Sequence, residues 1–334
     1  MISYDELIAL PRLLQAWDVF RKEKTNKRDV QIFSLHLEDN LFTLHRALKQ
    51  QIYRHGGYEA FWVHDPKRRH IHKACVTDRV VHHLLYTYLY ELFDPTFIYD
   101  SYSCRLGKGT HKGVARLVTF TRKESANYTR DCWALQFDIK QFFGSAEHEV
   151  LKQLLARKIA DARILSLLSQ VIDSFHSTAG LGKGIPLGNL TSQIFANIYM
   201  HELDAYMKHI LKARFYLRYA DDGVIVDSSK RHLIDLIMPI GDFLQKRLLL
   251  SLHPRKVTVR KLSWGIDFLG YIVLPHYVLP RTKTKRRLLE RIRTAGHNEN
   301  ANQMIQSYLG YLSHAQAYRL QTLIKHMIYE ELLR

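Results

Sequence analysis

Hydrophobic residues recur with helical spacing along residues 1–20 and 35–52, and a charged stretch separates the two runs. Alternating hydrophobic and polar residues then predict strands at Tyr58–Val63 and His70–Val76. An apolar helix is expected to follow. Asp78 is its expected N-cap, because an aspartate side chain can accept hydrogen bonds from the first turn of a helix. The two helical runs in the first fifty residues predict packing between helices and carry no recognisable chemistry.

Two later β-rich runs carry acidic residues at or near their ends. Trp133–Ile139 is an apolar run whose one acidic residue is Asp138. A tight β-hairpin is predicted over residues 215–226, with Asp221 and Asp222 at its tip. Other predicted elements are helices at 147–171, from the loop 180–193 to about 212, at 233–248, at 283–293 and, as a pair, within 302–334, with a strand and turn at 267–271.

The three aspartates indicate metal chemistry if their strands are neighbours. An ionised aspartate in a core strand is costly unless it is paired or metal-bound, and adjacent carboxylates at a turn repel each other. Considered singly, Asp138 also fits an edge-strand residue facing water, and Asp221–Asp222 fits an ordinary solvated turn. Together on one edge of an antiparallel sheet, the three carboxylates would hold two Mg²⁺ ions roughly 3.5–4 Å apart. That arrangement indicates nucleotidyl transfer.

The composition favours a polyanionic partner. The 334 residues contain 49 Lys and Arg against 32 Asp and Glu, a net charge of +17, and 46% are hydrophobic, enough for two or three subdomains. Nucleic acid is the first expected partner and an anionic membrane surface the second. No apolar run is long enough to span a membrane, and residues 1–18 lack the charged-then-apolar pattern of a secretory leader. The three widely spaced cysteines fit neither a zinc site nor a disulfide framework, so a cytoplasmic location is expected.

Basic and glycine-rich segments add candidate contacts to phosphates. Eleven Lys or Arg and two acidic residues lie between Ser251 and Arg293, and Lys283–Arg293 can form one basic helix suited to a phosphate backbone. A merely solvated charged face is the alternative for that helix. The loop 103–111 is glycine-rich and basic but lacks the spacing of a P-loop. The loop 180–193 is either a plain connection or a source of hydrogen bonds to a base or sugar.

Three boxes in a fixed order resemble those of reverse transcriptases. They are Phe137–Phe143, Pro186–Gln193 and Tyr219–Asp222, and family-like features extend from about Lys67 to Tyr318. The resemblance implies an RNA-directed DNA polymerase. It also implies an α+β right-hand fold, with N-terminal helices and fingers at 1–130, a catalytic palm with a small antiparallel sheet at 131–275, and a helical thumb at 276–334.

The resemblance implies roles for individual residues as well. Asp138, Asp221 and Asp222, with Ile139 beside them, would bind two Mg²⁺ ions, for which Mn²⁺ is a possible substitute, and Lys256 would assist departure of pyrophosphate. Phe143 would be the steric gate against the ribose 2′-hydroxyl of the incoming nucleotide. The other implied contacts are Lys67, Arg69, Leu187, Gly188 and Gln193 with the nucleotide, and Tyr219, Phe268, Leu269, Gly270, Lys283, Lys285, Arg286 and Arg287 with nucleic acid.

The box at Leu187–Gly188 and Ser192–Gln193 is similar to that of diversity-generating retroelements, whereas many reverse transcriptases have Gln-Gly and Ser-Pro at these places. That subfamily copies a template-repeat RNA into cDNA from dNTPs, with errors at template adenines. Its implied partners are this RNA, the cDNA or primer, and a small basic helical accessory protein, for which an oligomer is one expected state. An aliphatic Leu187 removes a hydrogen bond near the nucleotide, which is compatible with low fidelity.

Other interpretations stay open. A related reverse transcriptase of antiphage defence, which copies a dedicated non-coding RNA, is the nearest alternative. The absence of a recognisable Cys/His nuclease module, a ribonuclease-H-like acidic set and a Val-Thr-Gly near Val273 disfavours complete mobile-intron, retrovirus-type and retron enzymes. A non-catalytic RNA-binding relative should have lost a metal-binding aspartate, and all three are present. A DNA-templated or primase-like polymerase is a further option that the boxes disfavour.

Overall fold

The computed structural model describes residues 2–64, 68–294 and 300–332. Its contacts divide the chain into two compact units, each assembled from separate stretches of sequence. The first unit comprises Met1–Tyr99, Ile139–Ile210 and Ile240–Pro254, and the second comprises Asp100–Asp138, Leu211–Pro239 and Arg255–Arg334. The predicted segments 1–130, 131–275 and 276–334 follow the chain continuously and stay a prediction.

The chain contains runs of helices and small antiparallel sheets, which fits the predicted α+β class. The N-terminal elements are α1 (Tyr4–Leu7), α2 (Leu10–Arg21), α3 (Arg28–Leu35), α4 (Leu37–Lys49), β1 (Tyr58–Val63), β2 (Arg69–Ala74), α5 (Val76–Phe93) and α6 (Thr110–Glu124). The central elements are β3 (Trp133–Asp138), α7 (Phe142–Ser145), α8 (His148–Ala156), α9 (Ala162–Asp173), α10 (Leu190–Ala205), β4 (Phe215–Tyr219), β5 (Asp222–Asp227), α11 (Lys230–Asp235) and α12 (Ile237–Leu248). The C-terminal elements are β6 (Thr258–Lys261), β7 (Ile266–Phe268), β8 (Tyr271–Leu274), β9 (Tyr277–Pro280), α13 (Thr282–Thr294), α14 (Asn300–Leu312) and α15 (Tyr318–Leu332).

The second unit is built on an antiparallel four-stranded sheet with the order β4–β5–β3–β6. Residues of β4 and β5 are almost continuously buried, which explains why their sequence is a nearly uninterrupted apolar run. Helix α6 packs Val114, Leu117 and Phe120 into the same core as Leu217 and Val224. Full burial of a leucine such as Leu117 contributes about 1.5–3 kcal/mol, so this core fixes the register of the strands.

The first unit is mainly helical and contains the two-stranded hairpin β1–β2. Strand β2 is extended on its free edge by the loop before α10, because the N–H of His72 donates to the carbonyl of Leu187 at 2.8 Å. The Asn189 side chain strengthens this junction by donating to the His72 carbonyl at 2.7 Å. The box Pro186–Gln193 is therefore anchored to the β1–β2 hairpin.

Several sequence-based expectations about helices are wrong in detail. Asp78 is not an N-cap: Cys75 precedes α5, and the buried Asp78 carboxylate accepts hydrogen bonds from Tyr53 and the N–H of Gly56 instead. The helix expected at 147–171 is two helices, because Asp161 caps a new one at α9. The helix expected at 233–248 is likewise divided into α11 and α12. Among the described residues, no helix has the length and apolarity needed to cross a membrane.

We expect Gly223→Ala to destabilise the sheet. A Cβ atom at Gly223 would lie 2.2 Å from the ring of Phe137, which is buried in the neighbouring strand. Overpacking of this kind costs about 1–3 kcal/mol of the free energy of unfolding, which urea denaturation measures. The control is Gly310→Ala in α14, where a Cβ meets no neighbour within 4 Å. A Gly223→Ala protein as stable as the unsubstituted chain would contradict this packing.

Candidate active site

The hairpin β4–β5 places the adjacent aspartates. Tyr219 pairs with Asp222, so the loop consists of two residues, Ala220 and Asp221. Ala220 has φ 54°, a positive value that two-residue hairpin loops require because it matches the twist of the strands. Asp221 is thus at the tip as predicted, whereas Asp222 is the first residue of β5 and not part of the turn.

Strand β3 brings the third aspartate to the same end of the sheet. Asp138 is the last residue of β3, and its partner across the antiparallel pair is Asp222. Directly opposite residues have Cβ atoms about 4.5–5.5 Å apart, and like charges in such a pair destabilise it. Asp138, Asp221 and Asp222 therefore lie at one end of the sheet, where a nearby cation would reduce the repulsion between their like charges.

Lys256 supplies one positive charge at this edge. Its Nζ atom donates to Oδ2 of Asp138 at 2.7 Å, and both residues belong to the second unit. This hydrogen bond raises the pKa of Lys256, and the charges of Asp138, Asp222 and Asp221 act in the same direction. The ammonium form is consequently favoured at neutral pH, and Lys256 holds a proton among the carboxylates.

The donor set fits a hard divalent cation. Carboxylate oxygens are the ligands that Mg²⁺ prefers, and two of the three carboxylates face each other across adjacent strands. Within the described ranges, no group of three or more His, Cys, Asp or Glu is already gathered closely enough to hold a metal ion. In the structure Lys256 provides the positive charge at Asp138. The predicted ligand Ile139 has a buried side chain, so only its backbone carbonyl could contribute.

The turn predicted to grip a primer joins β7 and β8. Phe268 is buried in the core, Leu269 has φ 50°, and Gly270 has φ 93°, which glycine adopts without strain. The carbonyl of Gly270 accepts a hydrogen bond from the N–H of Arg281 at 2.9 Å. The Tyr311 hydroxyl of α14 donates to the same carbonyl. This turn is therefore held rigidly between the small sheet β7–β9 and the C-terminal helices.

Two other predicted nucleic-acid contacts also lie in the second unit. The half-buried Tyr219 receives a 3.4 Å hydrogen bond from the Thr110 hydroxyl at the start of α6. Helix α13 buries Leu288 and Ile292, so its basic residues lie on the remaining faces. Lys283 and Arg286 are exposed there, and Lys285 and Arg287 are partly exposed.

The residues predicted to contact the nucleotide lie in the first unit. Arg69 is the exposed first residue of β2, and Lys67 lies outside the described residues. Gly188 packs so closely on β2 that a Cβ would lie 2.6 Å from Cγ2 of Ile71. The half-buried Phe143 lies in α7, and its carbonyl accepts from the N–H of Ile185 at 2.7 Å. Gln193, in the first turn of α10, is exposed. Strand β2, the Leu187–Gly188 loop and the Phe143 turn are thus linked through main-chain hydrogen bonds and close packing.

Sequence reasoning missed two residues that hold parts of the candidate site, Asn189 in the first unit and Arg218 in the second. Asn189 bridges its loop to β2, accepting from Ala74 N–H at 3.3 Å and donating to His72. Arg218 is completely buried in β4, although it is charged. Its signal in the sequence was a lone arginine in an apolar strand next to the acidic pair.

The family comparison covers most of this architecture. The profile described as "Reverse transcriptase (RNA-dependent DNA polymerase)" matches residues 64–273, which include all three aspartates. Protein YkfC of Escherichia coli is 24% identical over 241 residues, covering 61% of this chain and 63% of that protein. The group II intron-encoded protein LtrA of Lactococcus lactis is 27% identical over 146 residues, 42% of this chain and 22% of LtrA.

Further similarities agree with this result. A 91 kDa protein in the cob intron of Schizosaccharomyces pombe is 31% identical over 142 residues, 41% of this chain and 17% of that protein. The chain therefore spans between 17% and 63% of the length of these relatives.

Solved structures support the fold. Apo telomerase from Candida tropicalis aligns with a TM-score of 0.55 at 12% identity, covering 84% of this chain and 58% of that one. Telomerase from Candida albicans with a fragment of telomeric RNA gives 0.52 at 13% identity, covering 79% and 56%. The predicted α+β right-hand polymerase fold is confirmed. The chain belongs to the reverse transcriptase (RNA-dependent DNA polymerase) family.

Proposed function

We propose that the chain is an RNA-directed DNA polymerase that copies a template RNA into cDNA by transferring nucleotides from dNTPs to a primer. The observation that carries this proposal is the register of β3 and β5, which sets Asp138 opposite Asp222. Asp221 precedes Asp222 in the hairpin loop, and Lys256 lies on Asp138. The net charge of +17 suits the polyanionic template and product.

Reverse transcriptase domains use divalent metal ions. In our proposal, Asp138, Asp221 and Asp222, with the carbonyl of Ile139, would hold two Mg²⁺ ions, which Mn²⁺ could replace. When bound, such ions activate the primer 3′-hydroxyl and neutralise charge on the leaving pyrophosphate. Lys256 carries a proton on Nζ beside these carboxylates and can donate it to the pyrophosphate oxygen as that oxygen gains charge.

The first unit would select the nucleotide. Arg69 would bind the triphosphate by charge, with Lys67 beside it in the sequence. Phe143 would exclude a ribose 2′-hydroxyl by its bulk, and Gln193 offers an exposed amide. The hydrogen bonds from His72 to Leu187 and from Ile185 to Phe143 hold these segments in place, so selection is made by a pre-organised surface.

Our finer proposal is a diversity-generating role, with a template-repeat RNA, errors at template adenines and a small basic helical accessory protein, which can be oligomeric. The location that we propose is the cytoplasm. Support for the diversity-generating role comes from the box Pro186–Gln193. Leu187 presents an aliphatic side chain there, and its carbonyl already accepts a hydrogen bond from the N–H of His72. A site without a polar side chain at this position discriminates less sharply among base pairs. The Ser192 hydroxyl donates to the Pro186 carbonyl at 2.6 Å, which fixes the loop that contains Leu187.

Removing a proposed metal ligand should abolish DNA synthesis without preventing RNA binding. We expect Asp138→Asn or Asp221→Asn to lower primer extension on an RNA template by about a thousandfold or more, because each variant removes a charged ligand from the site. Asp227→Asn, at the opposite end of β5, is the matched control and should extend primers normally. Substantial synthesis by either active-site variant would reject the role of that aspartate.

Shortening Phe143 should relax selection of the sugar. Phe143→Ala removes the bulk proposed to meet a 2′-hydroxyl, so the preference for dNTPs over NTPs, measured as a ratio of kcat/KM values, should fall by about tenfold or more. Phe42→Ala, at an exposed aromatic residue of α4, should leave that ratio unchanged. An unaltered dNTP preference in Phe143→Ala would reject the gate.

Sequencing the cDNA tests the diversity-generating role. The chain is co-expressed with its neighbouring genes and cognate RNA, and errors are expected to concentrate at template adenines. Leu187→Gln should lower that error frequency, because it restores an amide that can pair with polar groups near the nucleotide. Faithful or repetitive cDNA from a structured RNA would favour the antiphage-defence alternative. No product on any template would favour a non-catalytic RNA-binding protein.

A further inference from the structure

Arg218 is a fully buried charge three residues before Asp221, the acidic residue at the tip. Its exposed fraction is 0%, and it is among the largest side chains that the core encloses completely. Burying a guanidinium is costly unless its N–H groups are hydrogen-bonded, so such a residue weakens a strand unless its contacts offset that cost. The residues around Arg218 therefore indicate what it stabilises.

The guanidinium reaches along the hairpin toward the tip. Nη1 of Arg218 donates to the carbonyl of Ala220 at 2.8 Å. Nη2 donates to the hydroxyl of Ser101, also fully buried, at 3.1 Å. The main chain of Arg218 is also fixed, because its N–H donates to the Asp100 carbonyl and its carbonyl accepts from the N–H of Tyr102, each at 2.9 Å. The segment 100–102 thus lies along β4 and fixes the base of the arginine.

The acceptor at the tip is a strained residue. Ala220 has φ 54°, and a side chain with a Cβ pays about 1–2 kcal/mol for the left-handed region. Such strain persists only where surrounding contacts over-determine the conformation. The carbonyl that receives the Arg218 hydrogen bond belongs to the peptide linking Ala220 to Asp221. Fixing this peptide plane fixes the point from which the Asp221 side chain departs.

We propose that Arg218 is a positioning residue that holds the Ala220–Asp221 peptide and thereby aims the Asp221 carboxylate at the divalent cation. This inference rests on the proposed function only in assigning a metal to Asp221. Arg218 acts through the backbone, since its side chain is buried and donates to the Ala220 carbonyl. Lysine would keep the charge and lose the planar fork that serves Ala220 and Ser101 together.

Binding of Mn²⁺ to the 334-residue chain, followed by electron paramagnetic resonance, measures this role without DNA synthesis. We expect Arg218→Lys to weaken Mn²⁺ binding by about tenfold to a hundredfold, the order expected for loss of one hydrogen bond from a charged group. Adding Ala220→Gly should recover a large part of the loss, because glycine adopts positive φ without the hydrogen bond's support. Arg231→Lys, at an arginine whose side chain is 84% exposed, is the matched control and should bind Mn²⁺ normally.

Two results would overturn the proposal. One is an Arg218→Lys chain that is folded by circular dichroism and binds Mn²⁺ like the unsubstituted protein. The other is weakened binding that Ala220→Gly does not improve, which would indicate general damage to the core. If Arg218→Lys does not fold, Ser101→Ala replaces it under the same two criteria, since it removes one acceptor and leaves the arginine in place.

Primer extension separates this inference from the proposed function. In an active enzyme, Arg218→Lys should raise the Mg²⁺ concentration for half-maximal synthesis and leave the KM for dNTP within about twofold, since the nucleotide contacts are unaltered. An increase in KM for dNTP at unchanged Mg²⁺ dependence would contradict the positioning role. If the unsubstituted chain makes no DNA on any template, the proposed function fails, and the Mn²⁺ measurements still decide the role of Arg218.

Discussion

The repulsion between Asp138 and Asp222 is the constraint on which the site depends. Antiparallel pairing sets these residues directly opposite each other, with Asp221 next in the chain. A sheet with opposed carboxylates at its end is less stable than one with neutral residues there, unless a cation lies between them. Lys256 provides part of that compensation by binding Asp138. The same unfavourable energy becomes affinity for a divalent ion, because the ion relieves it.

The core of the second unit keeps the carboxylates together against this repulsion. A slip of one residue between β3 and β5 would turn Ala134, which belongs to this core, to the opposite face, so burial of its side chain favours the register that pairs the aspartates. Gly223 contributes by leaving room for the Phe137 ring over its backbone. Side-chain burial in the middle of the sheet therefore offsets the carboxylate repulsion at its end, where the chemistry is proposed.

The sequence predicted what local patterns determine. The apolar β-rich run that contains Asp138 and the tight turn predicted at Asp221 and Asp222 located the strands, and the ordered boxes indicated the family. It could not predict partners distant in sequence: Asp78 resembled a helix cap, but burial next to Tyr53 decided its role. Arg218 was equally hidden, because Ser101 lies more than a hundred residues away. Sequence alone also could not show that Lys256 donates to Asp138.

In the proposed function, chemistry and nucleotide selection have different physical origins. The three aspartates and Lys256 belong to one contact unit, whereas the loop at Leu187, the Phe143 turn and strand β2 belong to the other. In the proposed function, affinity for a cation would come from charge repulsion within the sheet. Discrimination among nucleotides would depend on loops held by main-chain hydrogen bonds, such as those to Leu187 and Phe143. An aliphatic residue in the second set can therefore lower fidelity while the carboxylates of the first stay intact, so an inaccurate polymerase need not be a damaged one.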